Sequence, residues 1–384
     1  MKKSTNYNLG SYLRKLRAQR RLSLTKVEEL SLSFKDPIKP SYLSKIETGK
    51  FVPALPKLVT LSKIYGVKIQ SLIERLDLEE DAAPVDLTGI TYEELKQKGL
   101  EELRHGNFKK ALSFFEASLD LSMLSRKEKT AESELSIAVM LRNMGKLELA
   151  KLKIEEILLK YYQNKDITAR AYLEYSYIFR SLGHFPLSLS TIKEAENLSN
   201  ILDNPELNAY IFHLKANIHS ELNEVEDAIK EYEKAEKIFV QLNNSLEICR
   251  TISNKAIALA KKKSYDAAIK LLEESLAMAY KYDFKKLVAI ILSNLGYCYY
   301  LKNKRKEAIR YFVRSNNISR KGDYYNILFT NCFYLMKINE KMNASDSVEQ
   351  YKKVLRSFLP KIEGTFSALE EFKSLLELEG LKDK

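Results

Sequence analysis

The sequence contains no tryptophan, and its 384 residues include only 3 cysteines, 8 prolines and 12 glycines. Proline and glycine disfavour helix interiors most strongly, so their scarcity favours helix throughout the chain. Cys249, Cys298 and Cys332 are odd in number and far apart, which fits neither a disulfide framework nor a zinc site. We interpret them as reduced core thiols of a cytoplasmic protein.

The chain also lacks the sequence signals of a membrane protein and of an enzyme. No apolar stretch approaches the length of a transmembrane helix, and the polar N-terminal residues are unlike a signal peptide. There is no phosphate-binding glycine-rich loop, no HExxH motif and no nucleophile elbow, and the four histidines are scattered. We therefore expect no membrane partner, no catalytic residue, no metal and no cofactor.

Positive charge is concentrated at the N-terminus. Residues 1–80 hold 16 Lys and Arg against 8 Asp and Glu, whereas the other 304 residues hold 47 against 43. Two thirds of the net charge of +12 thus lies in about a fifth of the chain. This asymmetry indicates a polyanionic partner for the N-terminal region, although a basic surface that only aids solubility gives the same pattern.

The first 80 residues show apolar spacing and punctuation typical of five short helices. Ser23 or Thr25 is a suitable cap for the second helix, and Pro40 suits the first position of the third. Gly49 is placed to end the third helix in a left-handed conformation, and Gly66 to end the fourth. A fifth helix is predicted over 67–76.

The run Ser41-Tyr-Leu-Ser-Lys-Ile-Glu-Thr-Gly-Lys50, within 8–76, resembles the helix-turn-helix domain of the Cro/C1 (XRE) repressor class. The resemblance implies a five-helix, lambda-repressor-like DNA-binding domain over 1–76, with the helix at 40–47 in the major groove. It implies base contacts from Ser41, Ser44 and Lys45, and phosphate contacts from Lys26, Lys39, Tyr42 and Lys50. Leu43 and Ile46 would face the core, and Glu47 would brace the fold. Some such domains serve only as interaction modules, which stays the alternative.

A linker is predicted over 77–90, where an acidic cluster is followed by small residues, proline and glycine without periodicity. A hinge at this point would let the rest of the chain reposition the DNA-binding domain. Thr91 and Glu94 then have the spacing of a capping box at the start of a new helix.

One pattern recurs seven times after the linker. Small residues flanked by large apolar ones recur at intervals of 38–40 residues, at Ala111, Ala150, Ser188, Ala228, Ala268, Ala308 and Ser347. A fixed period of this size predicts a solenoid of helix pairs, with a non-repeating helical bundle as the alternative. The units resemble tetratricopeptide (TPR) repeats, most closely around Gly296, Ala308 and Phe312. We expect an all-α chain in which 91–384 form about seven helix pairs and a C-terminal helix over 362–381. That helix would cover the last repeat or a dimer interface.

Two asparagines suggest what the repeats bind. Asn254 and Asn294 are 40 residues apart, one repeat spacing, and each follows a serine. Because an amide side chain both donates and accepts, the pair suits the backbone of an extended peptide on the concave side. The alternative is that these asparagines only join neighbouring helices. Other side chains expected on the concave side are Arg170, Tyr177, Arg180, His213, Asn217, Arg250, Tyr297 and Tyr300.

An XRE-type domain followed by long-period repeats resembles the RRNPP family of peptide-sensing regulators (Rap, Rgg, NprR, PlcR and PrgX), as does the run 293–300. The resemblance implies a cytoplasmic, homodimeric transcription factor that binds double-stranded DNA and is controlled by an imported oligopeptide, as in quorum sensing. No residue supports a phosphatase role. The alternatives are a regulator whose repeats serve only dimerisation or a protein partner, and a TPR adaptor that binds no DNA.

Overall fold

The structure is a computed structural model that describes residues 9–81, 90–122, 127–362, 364 and 366–382. These residues form twenty α-helices and one 3-10 helix, and no β-strand occurs among them. The all-α prediction is confirmed. Over the same residues, no helix combines the length and the apolar character needed to cross a membrane.

The N-terminal region folds into five helices: α1 Leu9–Gln19, α2 Leu24–Ser31, α3 Pro40–Glu47, α4 Leu55–Ile64 and α5 Ile69–Asp81. Ser23 caps α2 by accepting a hydrogen bond from the backbone N–H of Lys26, and Pro40 is the first residue of α3, as predicted. Gly49 and Gly66 both have positive φ, at 67° and 55°, after α3 and α4. The fifth helix continues to Asp81, so residues 77–81 of the predicted linker are helical.

The helices of this region enclose one apolar core, which includes Leu13, Val27, Leu43 and Leu61. The tightest approach is between α1 and α3. A Cβ atom on Gly10 would lie 2.3 Å from the carbonyl oxygen of Ile46, so only glycine allows this crossing. That contact fixes the C-terminal end of α3 against α1.

The predicted linker residues 82–89 lie outside the described part of the chain. The capping box that follows is confirmed, because the Thr91 backbone N–H donates to Glu94 Oε2 at 2.8 Å. In return, the Glu94 backbone N–H donates to Thr91 Oγ1 at 3.3 Å.

The chain then continues as antiparallel helix pairs. These are α6 Tyr92–Arg104, α7 Phe108–Ser122, α8 Lys127–Asn143, α9 Leu147–Lys160, α10 Lys165–Ser181, α11 Phe185–Leu202, α12 Pro205–Glu221, α13 Val225–Gln241, α14 Ser245–Lys261, α15 Tyr265–Lys281, α16 Lys285–Leu301, α17 Arg305–Lys321, α18 Tyr325–Glu340 and α19 Ser345–Phe358.

A left-handed residue ends the helices of this array at regular intervals. From residue 203 to residue 343 one occurs every 20 residues, so each predicted repeat of about 40 contains two equivalent turns. Most of these residues are asparagine or aspartate, which adopt positive φ more readily than other non-glycine residues. They are Asp203, Asn223, Asn243, Lys263, Asp283, Asn303, Asp323 and Asn343.

The small residues of the sequence pattern lie where helices cross. Six of them are completely buried: Ala111, Ala150, Ser188, Ala228, Ala268 and Ala308. The seventh, Ser347, is only half-buried. It lies on α19, which is followed by a 3-10 helix (Leu359–Lys361) and not by another pair. Gly296 has a matching role, because a Cβ there would lie 2.6 Å from the Phe312 ring.

The last helix, α20, spans Ser367–Lys382. It begins five residues later than predicted, because Ile362, which follows the 3-10 helix, has an extended backbone conformation. Phe372 is fully buried, with its ring centroid 5.6 Å from that of Phe329 on α18. Leu369 joins the same cluster. Within this chain α20 therefore covers the last repeat.

By compactness, the chain divides into two units. One comprises residues up to Gly99 with Phe108–Lys153, and the other comprises Leu100–Asn107 with Ile154–Lys384. The first unit contains the five N-terminal helices with most of the first two pairs. The second contains the pairs from α10 onward with α20. This division cuts through α6 and α9, so the predicted domain limits (1–76, 77–90 and 91–384) remain a prediction.

Candidate nucleic-acid interface and ligand-binding face

The two sides of α3 differ sharply. Leu43 and Ile46 are buried in the core, as expected. Ser41 and Lys45 are exposed on the other side. Tyr42 and Ser44 are half-buried between them. The helix thus presents a polar, cationic surface while its apolar side is held by the domain.

Four of the seven predicted DNA contacts meet at one concave surface of about 340 Å³, lined by Pro37, Lys39, Ser41, Tyr42, Lys45, Phe51 and Lys57. The other three lie outside it. Ser44 is on the same helix, and Lys50 is exposed just after its end. Lys26 is exposed at the start of α2, where its Nζ lies 2.7 Å from Glu29 Oε2.

Phe51 and Lys57 were not predicted as part of this surface. The Phe51 ring meets the Tyr42 ring edge-on at 5.3 Å between centroids. Lys57 Nζ donates to the carbonyl oxygen of Pro37 at 2.8 Å and lies 6.0 Å from the Tyr42 ring centroid. These contacts hold Tyr42 in place beside the lysines. The only sequence signal was a lysine in the first turn of α4.

An ion pair joins α1 to the end of α3. Arg17 Nε and Nη2 donate to the two carboxylate oxygens of Glu47 at 2.7 and 2.8 Å. The Glu47 side chain is only 5% exposed. Glu47 therefore braces the fold, as predicted. Arg17 has the sequence spacing of a basic residue on the outer surface of α1, but its side chain lies against Glu47, and this hydrogen-bonded contact raises the pKa of Arg17.

The fifth helix is fastened to the second helix pair. The Glu74 side chain is buried, and its Oε2 accepts a hydrogen bond from the backbone N–H of Leu149 at 2.9 Å. Leu149 is in the first turn of α9, where backbone N–H groups lack intrahelical partners. Next to it, Lys68 Nζ lies 2.6 Å from Glu148 Oε1. Burial raises the pKa of Glu74, and the backbone hydrogen bonds oppose that shift.

The first helices of the later pairs carry most of the predicted peptide contacts. We call the partly exposed side chains Arg170, Tyr177, Arg180, Asn217, Arg250, Asn254, Asn294 and Tyr297 the A face. They lie on α10, α12, α14 and α16.

The three arginines of the A face are paired with carboxylates. Arg250 Nη1 lies 2.7 Å from Glu247 Oε1, and Arg180 is ion-paired with Glu221 on the neighbouring first helix. Arg170 pairs with Asp166 on its own helix, at 3.1 Å. A ligand carboxylate at any of these arginines would have to compete with these side chains.

His213 lies beneath the A face and not on it, because only 2% of its surface is exposed. Its Nδ1 is 2.8 Å from Thr251 Oγ1, and its Nε2 is 3.3 Å from Asn254 Nδ2. Burial, helped by Arg250 and Arg180, lowers the pKa of His213 to about 3, so the ring is neutral at physiological pH. Its place in the structure suits positioning of Asn254.

The two repeat-related asparagines join neighbouring first helices. Asn254 Nδ2 donates to Asn217 Oδ1 at 2.9 Å, and Asn294 Nδ2 donates to Ser253 Oγ at 3.0 Å. Among the described residues, no hydrogen bond is made by Oδ1 of either Asn254 or Asn294. These two hydrogen bonds are the contacts expected if the asparagines join neighbouring helices. The Oδ1 atoms of Asn254 and Asn294 are the acceptors that a peptide backbone would need.

Tyr297, the last predicted contact, lies over the next repeat. Its ring centroid is 5.0 Å from that of Tyr334, and the ring centroid of Tyr300 is 5.2 Å from that of Tyr334. Burial raises the pKa of Tyr297. The A face therefore becomes aromatic toward α18. No group of three or more His, Cys, Asp or Glu side chains that could hold a metal occurs in the described part of the chain.

Comparison with known families defines the class of protein. Residues 8–76 match a helix-turn-helix domain family. Residues 209–239 and 247–321 match tetratricopeptide repeat families. The chain therefore combines a helix-turn-helix domain with TPR repeats, as the sequence predicted. No curated protein matches it.

Several solved structures share its fold. A Rap protein complexed with competence and sporulation factor is 14% identical, with a TM-score of 0.57 over 92% of this chain and 98% of that one. The Rap conjugation gene regulator of plasmid pLS20, in complex with the Phr* peptide, is 14% identical, with a TM-score of 0.58 over 92% of this chain and 96% of that one. NprR in complex with its cognate peptide NprX is 16% identical, with a TM-score of 0.52 over 77% of this chain and 90% of that one. These relatives are members of the RRNPP family that the sequence resembles, and at such identities the likeness establishes the fold.

Proposed function

We propose that this protein is a transcriptional regulator that binds specific double-stranded DNA and is controlled by an intracellular oligopeptide. The observation that carries the proposal is the concave surface formed at the start of α3 by Lys39, Ser41, Tyr42 and Lys45. It lies on a helix whose opposite side is buried, in the region that holds most of the net positive charge. A cationic helix presented in this way suits the major groove and the phosphates beside it.

We assign the DNA contacts by side-chain chemistry. Ser41, Ser44 and Lys45 would read base edges, because they lie on or next to the exposed side of α3. Lys26, Lys39, Tyr42 and Lys50 would hold phosphates, which sets the register without reading sequence. Tyr42 is well suited to this role because Phe51 and Lys57 restrict its ring.

We assign the oligopeptide to the A face. An extended peptide has unpaired backbone N–H and C=O groups, and Asn217, Asn254 and Asn294 provide amide groups in three successive repeats. Arg170, Arg180 and Arg250 would bind carboxylates, while Tyr177 and Tyr297 would contact apolar side chains. His213 would act from below by holding Asn254.

We further propose that the protein acts as a cytoplasmic homodimer. The turns between pairs expose apolar side chains at one repeat position, Tyr162, Leu242 and Tyr282, which supports a protein partner. The same observation favours the alternative in which the repeats bind only a protein or a second copy. Analytical ultracentrifugation at several concentrations distinguishes a dimer from a monomer.

Mass spectrometry of the full chain purified from its native host tests the peptide assignment. The proposal predicts a copurifying oligopeptide that changes DNA affinity at least about tenfold when it is removed and returned, the scale of typical allosteric coupling. A chain that binds DNA but carries no peptide, and whose affinity does not respond to a host peptide extract, would support the alternative instead.

A further inference from the structure

An exposed phenylalanine follows α3. Phe51 lies in the connection between α3 and α4, and 49% of its surface is exposed. The end of α3 brings it there, because Gly49 has a φ of 67° and the Lys50 backbone N–H donates to the carbonyl oxygen of Lys45 at 2.9 Å. These are the features of a helix end at which the chain reverses its direction. Pro53, two residues after Phe51, is buried and anchors the connection.

The Phe51 ring is held on one side by α3. It meets the Tyr42 ring edge-on, with 5.3 Å between centroids and 61° between planes. Tyr42 is restrained in turn by Lys57, whose Nζ lies 6.0 Å from the Tyr42 ring centroid. The Phe51 ring also lines the concave surface that includes Ser41 and Lys45. A ring that is already ordered loses little conformational freedom when a ligand covers it.

An aromatic ring on a cationic surface restricts the kind of partner. Removing apolar area from water is favourable, so the ring favours a partner that brings an apolar group to it. The surface also contains Lys39, Lys45 and Lys57, which suit phosphates and the acceptor atoms of base edges. In the major groove, the only methyl group on the base edges is the C5-methyl group of thymine. Thymine thus matches a ring that lies among these lysines.

We infer that Phe51 is a specificity-determining residue, which contacts the C5-methyl group of a thymine in the major groove. The inference rests on the proposed function, because it requires α3 in that groove. Lys45 lines the same surface and suits guanine, whose O6 and N7 accept hydrogen bonds from lysine. A volume of about 340 Å³ corresponds to a width of roughly 7 Å, and stacked base pairs are about 3.4 Å apart. The thymine therefore lies within two base pairs of the guanine that Lys45 contacts.

Replacing thymine by uracil removes only the methyl group. Deoxyuridine keeps every hydrogen-bonding group of thymine, so the two duplexes differ only at C5. We would titrate the full chain against the duplex from upstream of its own coding sequence, prepared once with thymine and once with uracil. Low salt strengthens the phosphate contacts and keeps weak variants measurable. Wild type should bind the thymine duplex about fourfold more tightly for each methyl group that Phe51 covers, from the transfer free energy of one carbon group.

Variants separate the methyl contact from the support that Phe51 gives to Tyr42. Phe51→Ala loses both, so its affinity for both duplexes should fall, and its preference for thymine should also fall, by about fourfold per methyl group. Phe51→Leu keeps an apolar side chain and should retain most of the preference. Leu55→Ala is the matched control, because Leu55 is exposed in the same region but does not line the concave surface. It should keep the wild-type preference.

Single substitutions in the DNA test the position of the thymine. Replacing one guanine at a time by 7-deazaguanine, which lacks the N7 acceptor, locates the guanine that Lys45 contacts. That substitution should weaken wild type but not Lys45→Ala. Single uracil substitutions should then weaken wild type only within two base pairs of that guanine. An effect confined to more distant thymines would contradict the inference.

The result for the two duplexes distinguishes the inference from the proposed function. A wild-type chain that binds both duplexes equally, or Phe51→Ala with an unchanged preference, would overturn the inference and leave DNA binding in place. A preference lost equally in Leu55→Ala would show that Phe51 does not carry it. A wild-type chain that binds neither duplex would contradict the proposed function itself.

Discussion

Glu74 Oε2 accepts a hydrogen bond from the backbone N–H of Leu149 at 2.9 Å, across 75 residues of sequence. This contact fastens the last helix of the helix-turn-helix domain to the first turn of α9. A carboxylate at this position also interacts favourably with the positive end of the helix. The helix-turn-helix domain is therefore held at this point by α5 as well as by the covalent connection.

Replacing Glu74 with alanine should lower the free energy of unfolding by about 1–3 kcal/mol, because the N–H of Leu149 loses a buried partner. Chemical denaturation measures this change, and hydrogen exchange at Leu149 should accelerate. Glu29→Ala is the control, since its ion pair with Lys26 is exposed and should change stability by less than about 1 kcal/mol. Equal effects of both substitutions would show that the contact does not hold α5.

Arg17→Met should destabilise the protein by about 3 kcal/mol and weaken DNA binding. The substitution leaves the buried Glu47 carboxylate without its bidentate partner, and a buried unpaired charge is costly. Thermal unfolding and DNA titration on the same variant measure both effects. Arg14→Met, at an exposed position of α1, should leave stability within about 0.5 kcal/mol. If Arg17→Met weakens DNA binding without lowering stability, the pair is not the brace that we describe.

Glu116 on α7 should make stability depend on pH. Its Oε1 is buried with no hydrogen-bond partner in the described residues, and burial, with a smaller effect of Asp120, raises its pKa to about 7. The folded state then binds a proton more tightly than the unfolded state. Stability is therefore lost as the pH rises from the unfolded pKa of about 4.3 to the folded value, and not regained above it.

Glu116→Gln removes this titration. The variant should gain stability relative to wild type between pH 5 and pH 8, by as much as about 3 kcal/mol, as measured by urea denaturation at both pH values. Glu101→Gln, at an exposed position, should show no such trend. An equal difference between Glu116→Gln and wild type at the two pH values would contradict the raised pKa.

Local sequence signals predicted most of the fold. Ser23, Pro40, Gly49 and the Thr91 capping box act on neighbouring backbone groups, so their effects can be inferred from adjacent residues. The buried small residues also follow directly from the repeat period. The C-terminal helix began later than expected, because Leu359–Lys361 forms a 3-10 helix and Ile362 is extended.

Contacts between distant residues could not be predicted in this way. Arg17 has the spacing of an exposed basic residue, and its partner is 30 residues away. Phe51 and Lys57 were missed because each makes its contact with a neighbouring element, at Tyr42 and at Pro37. For the A face, the asparagine spacing indicated amides in register, but it did not show that Asn254 donates to Asn217 and Asn294 to Ser253.

The proposed function depends most directly on whether the start of α3 binds specific DNA. We would titrate the full chain against a fluorescent duplex from upstream of its own coding sequence, and against a scrambled duplex, at several salt concentrations. Lys45→Ala should reduce the preference between the two duplexes, by about 1–3 kcal/mol. Lys50→Ala should weaken binding to both equally and reduce the salt slope by about 1. A wild-type chain that binds neither duplex at low salt would contradict the proposed function.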